Sequence, residues 1–130
     1  MLVDSAGPAE TRMNENKRPV AVTTLACIYI AVGSAGFVYH FGELSGRAAF
    51  GWDGVWVEVT EFLAILFGVF MLRGRDWARW GALAWMLFHV ILSASRAFRE
   101  FAIHAVFCVL MAWILFRPEA SRYFRRELGS

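Results

Sequence analysis

Five side chains in this sequence could handle protons or ligate ions from inside long apolar stretches: His40, Glu58, Glu61, His89 and His104. A titratable group among apolar neighbours costs free energy unless it is paired, so each of the five needs a reason. Imidazole and carboxylate together can pass protons, hold a metal ion or satisfy one another. Glu58 and Glu61 stand three residues apart, on one face of a helix, and two adjacent carboxylates do not both ionise cheaply. One of the two is expected to stay protonated, or to be neutralised by Arg96, a protonated histidine or a bound cation. For a metal such as zinc, iron, copper or manganese, the candidate ligands are Glu61, His89 and His104, with one position left to water. His40 lies nearer its helix end and is the weak member of that set. No HxxxH or ExxH pair occurs on one helix, which argues against a di-metal carboxylate centre. Haem between His89 and His104 is disfavoured too, because helices joined by so short a turn pack about 8–10 Å apart. The competing reading is a hydrogen-bonded polar core of all five residues that fixes helix register.

The elements that position these groups follow from hydropathy. In 130 residues, 58% are hydrophobic and the mean hydropathy is +0.49. The charges gather into short patches that leave four apolar runs, each near the ~20 residues an α-helix needs to cross a bilayer. The reading is an all-α, four-helix transmembrane bundle, up-down-up-down. Residues 1–18 form a polar, flexible tail. Residues 19–117 hold the spans, about 19–42, 54–72, 77–95 and 98–116, and 118–130 make a basic segment with a short interfacial helix. Pro19 opens the first span, the loop Glu43 to Asp53 follows it, Asp76 is placed to cap the third, and Pro118 stops the fourth. Such short connections make sequential helices antiparallel neighbours.

Helical spacing then groups the polar residues with small ones. The stripes are Tyr29, Gly33, Gly36, His40 and Glu43 on the first span, and Gly54, Glu58, Glu61, Ala64 and Gly68 on the second. The third carries Ala78, Ala82, Trp85, His89, Ser93 and Arg96, and the fourth Glu100, His104, Cys108 and Ala112. Small residues let membrane helices approach closely, so these stripes should face inward. Glu61, His89 and His104 share a depth of about 10 Å from one membrane face at 1.5 Å per residue. They are expected within a few ångströms of one another. Only Cys27, Tyr29 and Cys108 could titrate in the other half, too few for a proton path through one monomer. The two cysteines have no zinc or disulfide spacing and read as packing residues.

Orientation follows from Lys and Arg. Arg12, Lys17, Arg18, Arg73, Arg75, Arg79, Arg117, Arg122, Arg125 and Arg126 fall on one side, against Arg47, Arg96 and Arg99 on the other. The positive-inside rule puts both termini in the cytoplasm. Trp77, Trp80 and Trp113 belong to the inner boundary, Trp52 and Trp56 to the outer. The net charge of +2 is too small to argue for nucleic acid. The partners expected are the lipid bilayer, further copies of the chain, or a larger membrane complex.

The turn Arg73-Gly74-Arg75-Asp76-Trp77-Ala78-Arg79-Trp80 before an apolar helix resembles one found in uncharacterised small bacterial four-span inner-membrane proteins. The likeness covers about a quarter of the chain, from the second span into the third. It implies a multi-pass protein of the bacterial inner membrane and carries over no catalytic residue. With no Walker A loop, HExxH, GxSxG or GxGxxG in the sequence, the expected role is a non-enzymatic accessory or scaffold protein. The alternative is a metal- or proton-binding redox or transport component that uses the His/Glu cluster. No cofactor is named.

Overall fold

The chain is all-helical in a computed structural model that describes residues 18–46 and 52–126. Most of the expected N-terminal tail, much of the first loop and the last four residues lie outside that range. Five helices follow in order: α1 Val20–Gly46, α2 Trp52–Leu72, α3 Asp76–Ala94, α4 Phe98–Phe116 and α5 Pro118–Arg126. Helix α1 therefore runs into the stretch expected as loop from Glu43, and α2 starts at Trp52 instead of Gly54.

Three of the helices, α1, α2 and α4, are long and apolar enough to cross a membrane. Helix α3 falls outside that set because Asp76, Arg79 and His89 interrupt its apolar run. Large apolar side chains cover the outside of the molecule. Val38, Val109 and Phe98 are 73%, 70% and 85% exposed, a surface that suits hydrocarbon better than water.

The long helices pack antiparallel. In α1 and α2, Gly68 meets Ala26 and Ile30 while Gly33 meets Glu61, Ala64 and Ile65, so low numbers on one face high numbers on the other. This is the tightest seam in the molecule. A Cβ on Gly33 would lie 2.8 Å from the Glu61 carbonyl oxygen, and one on Gly68 would lie 2.8 Å from that of Ala26. Only glycine allows the two backbones so close. In α3 and α4, Trp80 packs on Phe116 and His89 on His104. Trp85 donates its indole N–H to the Thr60 carbonyl at 2.9 Å, tying α3 to α2.

The core is small-residue rich where helices cross. Ala26, Ala64, Ala78 and Ala82 are at most 1% exposed, and Tyr29 is buried among them. The Tyr29 hydroxyl donates to the Ala82 carbonyl at 2.9 Å and lies 3.2 Å from Met111 Sδ. One phenol thus joins α1, α3 and α4. Cys108 packs against this core, but Cys27 is exposed and is not the packing residue expected.

The turn between α2 and α3 is closed by two backbone bonds, Gly74 N–H to Met71 O at 3.1 Å and Arg75 N–H to Phe70 O at 3.0 Å. That pattern needs a left-handed residue, and Gly74 supplies it with φ 72°. Asp76 does not cap α3. The cap position is Arg75, without a side-chain bond, and the Asp76 carboxylate instead lies 2.6 Å from the Arg79 guanidinium. Helix α5 folds back on this end. Phe124 is fully buried, the Tyr123 hydroxyl donates to Leu72 O at 2.8 Å, and Arg79 reaches Ser121 Oγ at 3.3 Å.

Candidate functional site

The five ionisable residues resolve into two pairs and an orphan. His40 and Glu61 form the first pair. Gly36 leaves room on α1 for the Glu61 carboxylate, since a Cβ there would overlap it. The His40 Nδ1–H then reaches Glu61 Oε1 at 2.7 Å and Gly36 O at 3.2 Å. Both partners are acceptors, so Nδ1 carries the proton. Glu61 Oε2 is buried with no hydrogen-bond partner.

His89 and His104 form the second pair, their ring centroids 6.3 Å apart and the rings 25° from parallel. Each ring is held by its own helix. His89 Nδ1 donates to Trp85 O at 2.9 Å, and His104 Nδ1 donates to Glu100 O at 2.7 Å. A carbonyl can only accept, so each Nδ1 carries a proton, and in the neutral form of either ring the lone pair is on Nε2. The His89 ring also rests on the Trp85 indole, centroid to centroid 4.0 Å, and that indole is anchored on Thr60. Two imidazole acceptors are therefore fixed in orientation before anything binds.

Glu58 is the orphan. Both of its carboxylate oxygens are buried and neither has a hydrogen-bond partner. It is the least satisfied group of the five, in a place where an unmet polar group costs several kcal/mol in hydrocarbon.

The expected convergence of Glu61, His89 and His104 differs from what the helices build. All three line one cavity, but among the described residues no group of three His, Cys, Asp or Glu side chains could hold a metal ion. The physical reason is the α1–α2 seam. Its glycines pull Glu61 across to His40, away from the α3–α4 pair. The shared cavity has a volume of about 760 Å³ and reaches up to Arg96 and Glu100 beside the α3–α4 turn. Below it lies a smaller, apolar pocket of about 250 Å³. His89 and His104 line both spaces, along with Trp85, Val32 and Ala64. The histidine pair thus stands where a wider vestibule, apolar for the most part but edged with polar side chains, meets an almost wholly apolar pocket.

Residue types alone did not reveal the supporting roles of Trp85 and Arg79. Trp85 lies on the expected inward stripe, four residues before His89, and that spacing is the signal that could have marked it. Arg79 counted only as an orientation marker, yet it is buried at 8% exposure, with Phe116 and Phe124 under its guanidinium at 5.0 and 5.5 Å. No family model, curated protein or solved structure matches the chain.

Proposed function

We propose that this chain is a non-enzymatic accessory component of a bacterial inner membrane, crossing it four times with both termini in the cytoplasm. Its work is to bind a small molecule in the cavity that opens towards the outer side. The observation that carries this reading is the cavity itself: about 760 Å³, with His89, His104, Glu61 and Arg96 on its wall. Ligand sites are concave, mostly apolar, and carry a few fixed polar groups, and this one has all three properties. Arg73, Arg75 and the α5 arginines at the other end support the orientation through the positive-inside rule.

The test is accessibility. With Cys27 and Cys108 replaced by alanine, a Leu92→Cys variant places a thiol on the cavity wall. A membrane-impermeant maleimide should label it in intact cells. Labelling only after detergent solubilisation or cell lysis would overturn the outward-opening cavity. A second reading, proton or cation handling, is favoured by Glu58, whose two buried oxygens have no partner. On that reading Glu58→Gln abolishes a bound ion, or a pH-dependent signal, without unfolding the protein.

A further inference from the structure

The apolar pocket beneath the histidine pair has an unusual wall. Leu25, Ile28 and Val32 come from α1, and Ile103 and Phe107 from α4. Helices α1 and α4 touch only sparsely, whereas α1 is locked to α2 and α4 to α3. The residues on the two sides of that seam are also open to the outside: Ile28 is 40% exposed, Val32 60%, Ile103 55% and Phe107 45%. In a bilayer they face acyl chains. The pocket therefore has a lateral mouth on the lipid, and the vestibule above it is the second way in. At its head are two imidazoles whose Nδ1–H groups are already spent on Trp85 O and Glu100 O, so each offers a bare Nε2 acceptor.

We infer that this pocket binds a lipophilic phenol of the hydroquinone class, its ring hydroxyls donating to Nε2 of His89 and His104 and its alkyl tail leaving between α1 and α4. The inference rests on the binding role proposed above and names the ligand's chemistry. Three features select it. An acceptor-only head requires a ligand that donates, and a phenolic O–H is a stronger donor than an aliphatic one. An anion would meet two lone pairs, and a metal cation would lack a third ligand from the described residues. The flanking rings of Trp85, Tyr29 and Phe107 suit a flat aromatic body. Finally, 250 Å³ lies just under the ~300–1,000 Å³ of drug-sized sites, room for one substituted ring with its tail outside.

The chain has three histidines, which makes the test direct. Protein labelled with ¹⁵N-histidine, reconstituted in phosphatidylcholine nanodiscs, is titrated with decylhydroquinone and, separately, with its dimethyl ether. The two share the ring and the tail, but the ether carries a methyl group in place of each hydroxyl hydrogen. Hydroquinone should shift the Nε2 resonances of His89 and His104 saturably and leave His40 in place, and the ether, which loses both bonds, should bind about a hundredfold more weakly or not at all. Replacing either histidine with Phe should weaken hydroquinone binding about tenfold, the ~1.4 kcal/mol that losing one good hydrogen bond can cost. His40→Asn should change nothing, since His40 is turned to Glu61. Equal shifts with the ether would overturn the inference and reduce the pocket to a greasy cleft. So would unmoved histidines, or shifts seen with inorganic phosphate in place of the phenol. Both comparisons use the unaltered protein, so they stand even if a variant fails to fold. Failure of these titrations with Leu92→Cys still labelled from outside would remove the phenol and keep the cavity's role.

Discussion

At the scale of single residues, the glycines of α1 decide where the acidic group goes. Gly33 and Gly36 are one turn apart, yet substitution should affect them differently. A methyl group on Gly33 meets a backbone carbonyl, the Ala64 Cβ and Ile65, none of which can swing away. A methyl group on Gly36 meets the end of the Glu61 side chain, which can. Gly33→Ala should therefore cost ~1–3 kcal/mol of stability, the usual penalty for overpacking. Gly36→Ala should cost less, but it should separate His40 from Glu61 and move the His40 ¹⁵N signals. Thermal unfolding in detergent measures the first effect and the histidine spectrum the second; equal melting temperatures for the two variants would contradict the seam described here. Tyr29→Phe is a cleaner deletion. It keeps the ring and removes the hydroxyl that donates to Ala82 O, and a loss of about 0.6–1.7 kcal/mol is expected from the usual worth of such bonds in membranes.

At the scale of elements, the helices and their inward stripes were legible in the sequence, while the partners of the ionisable groups were not. Helix period and small-residue spacing are properties of one segment at a time, so the stripe of Gly33, Gly36 and His40, and that of Glu61, Ala64 and Gly68, could be read directly. Pairing depends on how closely two helices approach, which no single segment encodes. His40 was discounted for its depth along α1. Its partner nevertheless reaches it, because the glycine seam brings α2 close and the long Glu61 side chain spans the remainder. Asp76 shows the same limit: its position favours a cap, but the nearby Arg79 guanidinium is the stronger partner for a carboxylate. Helix α5 was expected to lie in the interface, and its docking follows from residues that are hydrophobic or aromatic on one face only. Phe124→Ala should release it, since that ring is completely buried against Arg79 and its neighbours. Trypsin should then cut at Arg122 and Arg125 several-fold faster in the variant. Unchanged protection would mean that the Tyr123 hydroxyl and the Arg79–Ser121 contact hold α5 without Phe124.

At the scale of the whole molecule, α3 decides the topology. Three helices are apolar enough to cross a membrane on composition alone, and α3 is not one of them. An odd number of spans would place the two termini on opposite sides; four spans place them together. On the four-span reading proposed above, two features lower the cost of placing α3 in a bilayer. Its Asp76 and Arg79 neutralise each other at the helix start, beside Trp77, Trp80 and α5, where an interface would lie rather than hydrocarbon. Its remaining ionisable group, His89, lines a cavity, and its Ser93 hydroxyl is buried and donates to Val90 O at 2.9 Å. The cost of placing α3 in a bilayer is therefore far smaller than its composition suggests. Reporters active only in the cytoplasm, fused at the N-terminus and after Leu128, should both give signal, and the same reporter inserted at Gly51 should give none. Signal at one terminus alone would mean that α3 does not cross, and would leave His89 and His104 without a common depth. Signal at Gly51 alone would invert the molecule. The cavity would then open to the cytoplasm, and Arg73, Arg75 and the arginines of α5 would lie outside, against the charge bias that orients nearly every short-looped membrane protein.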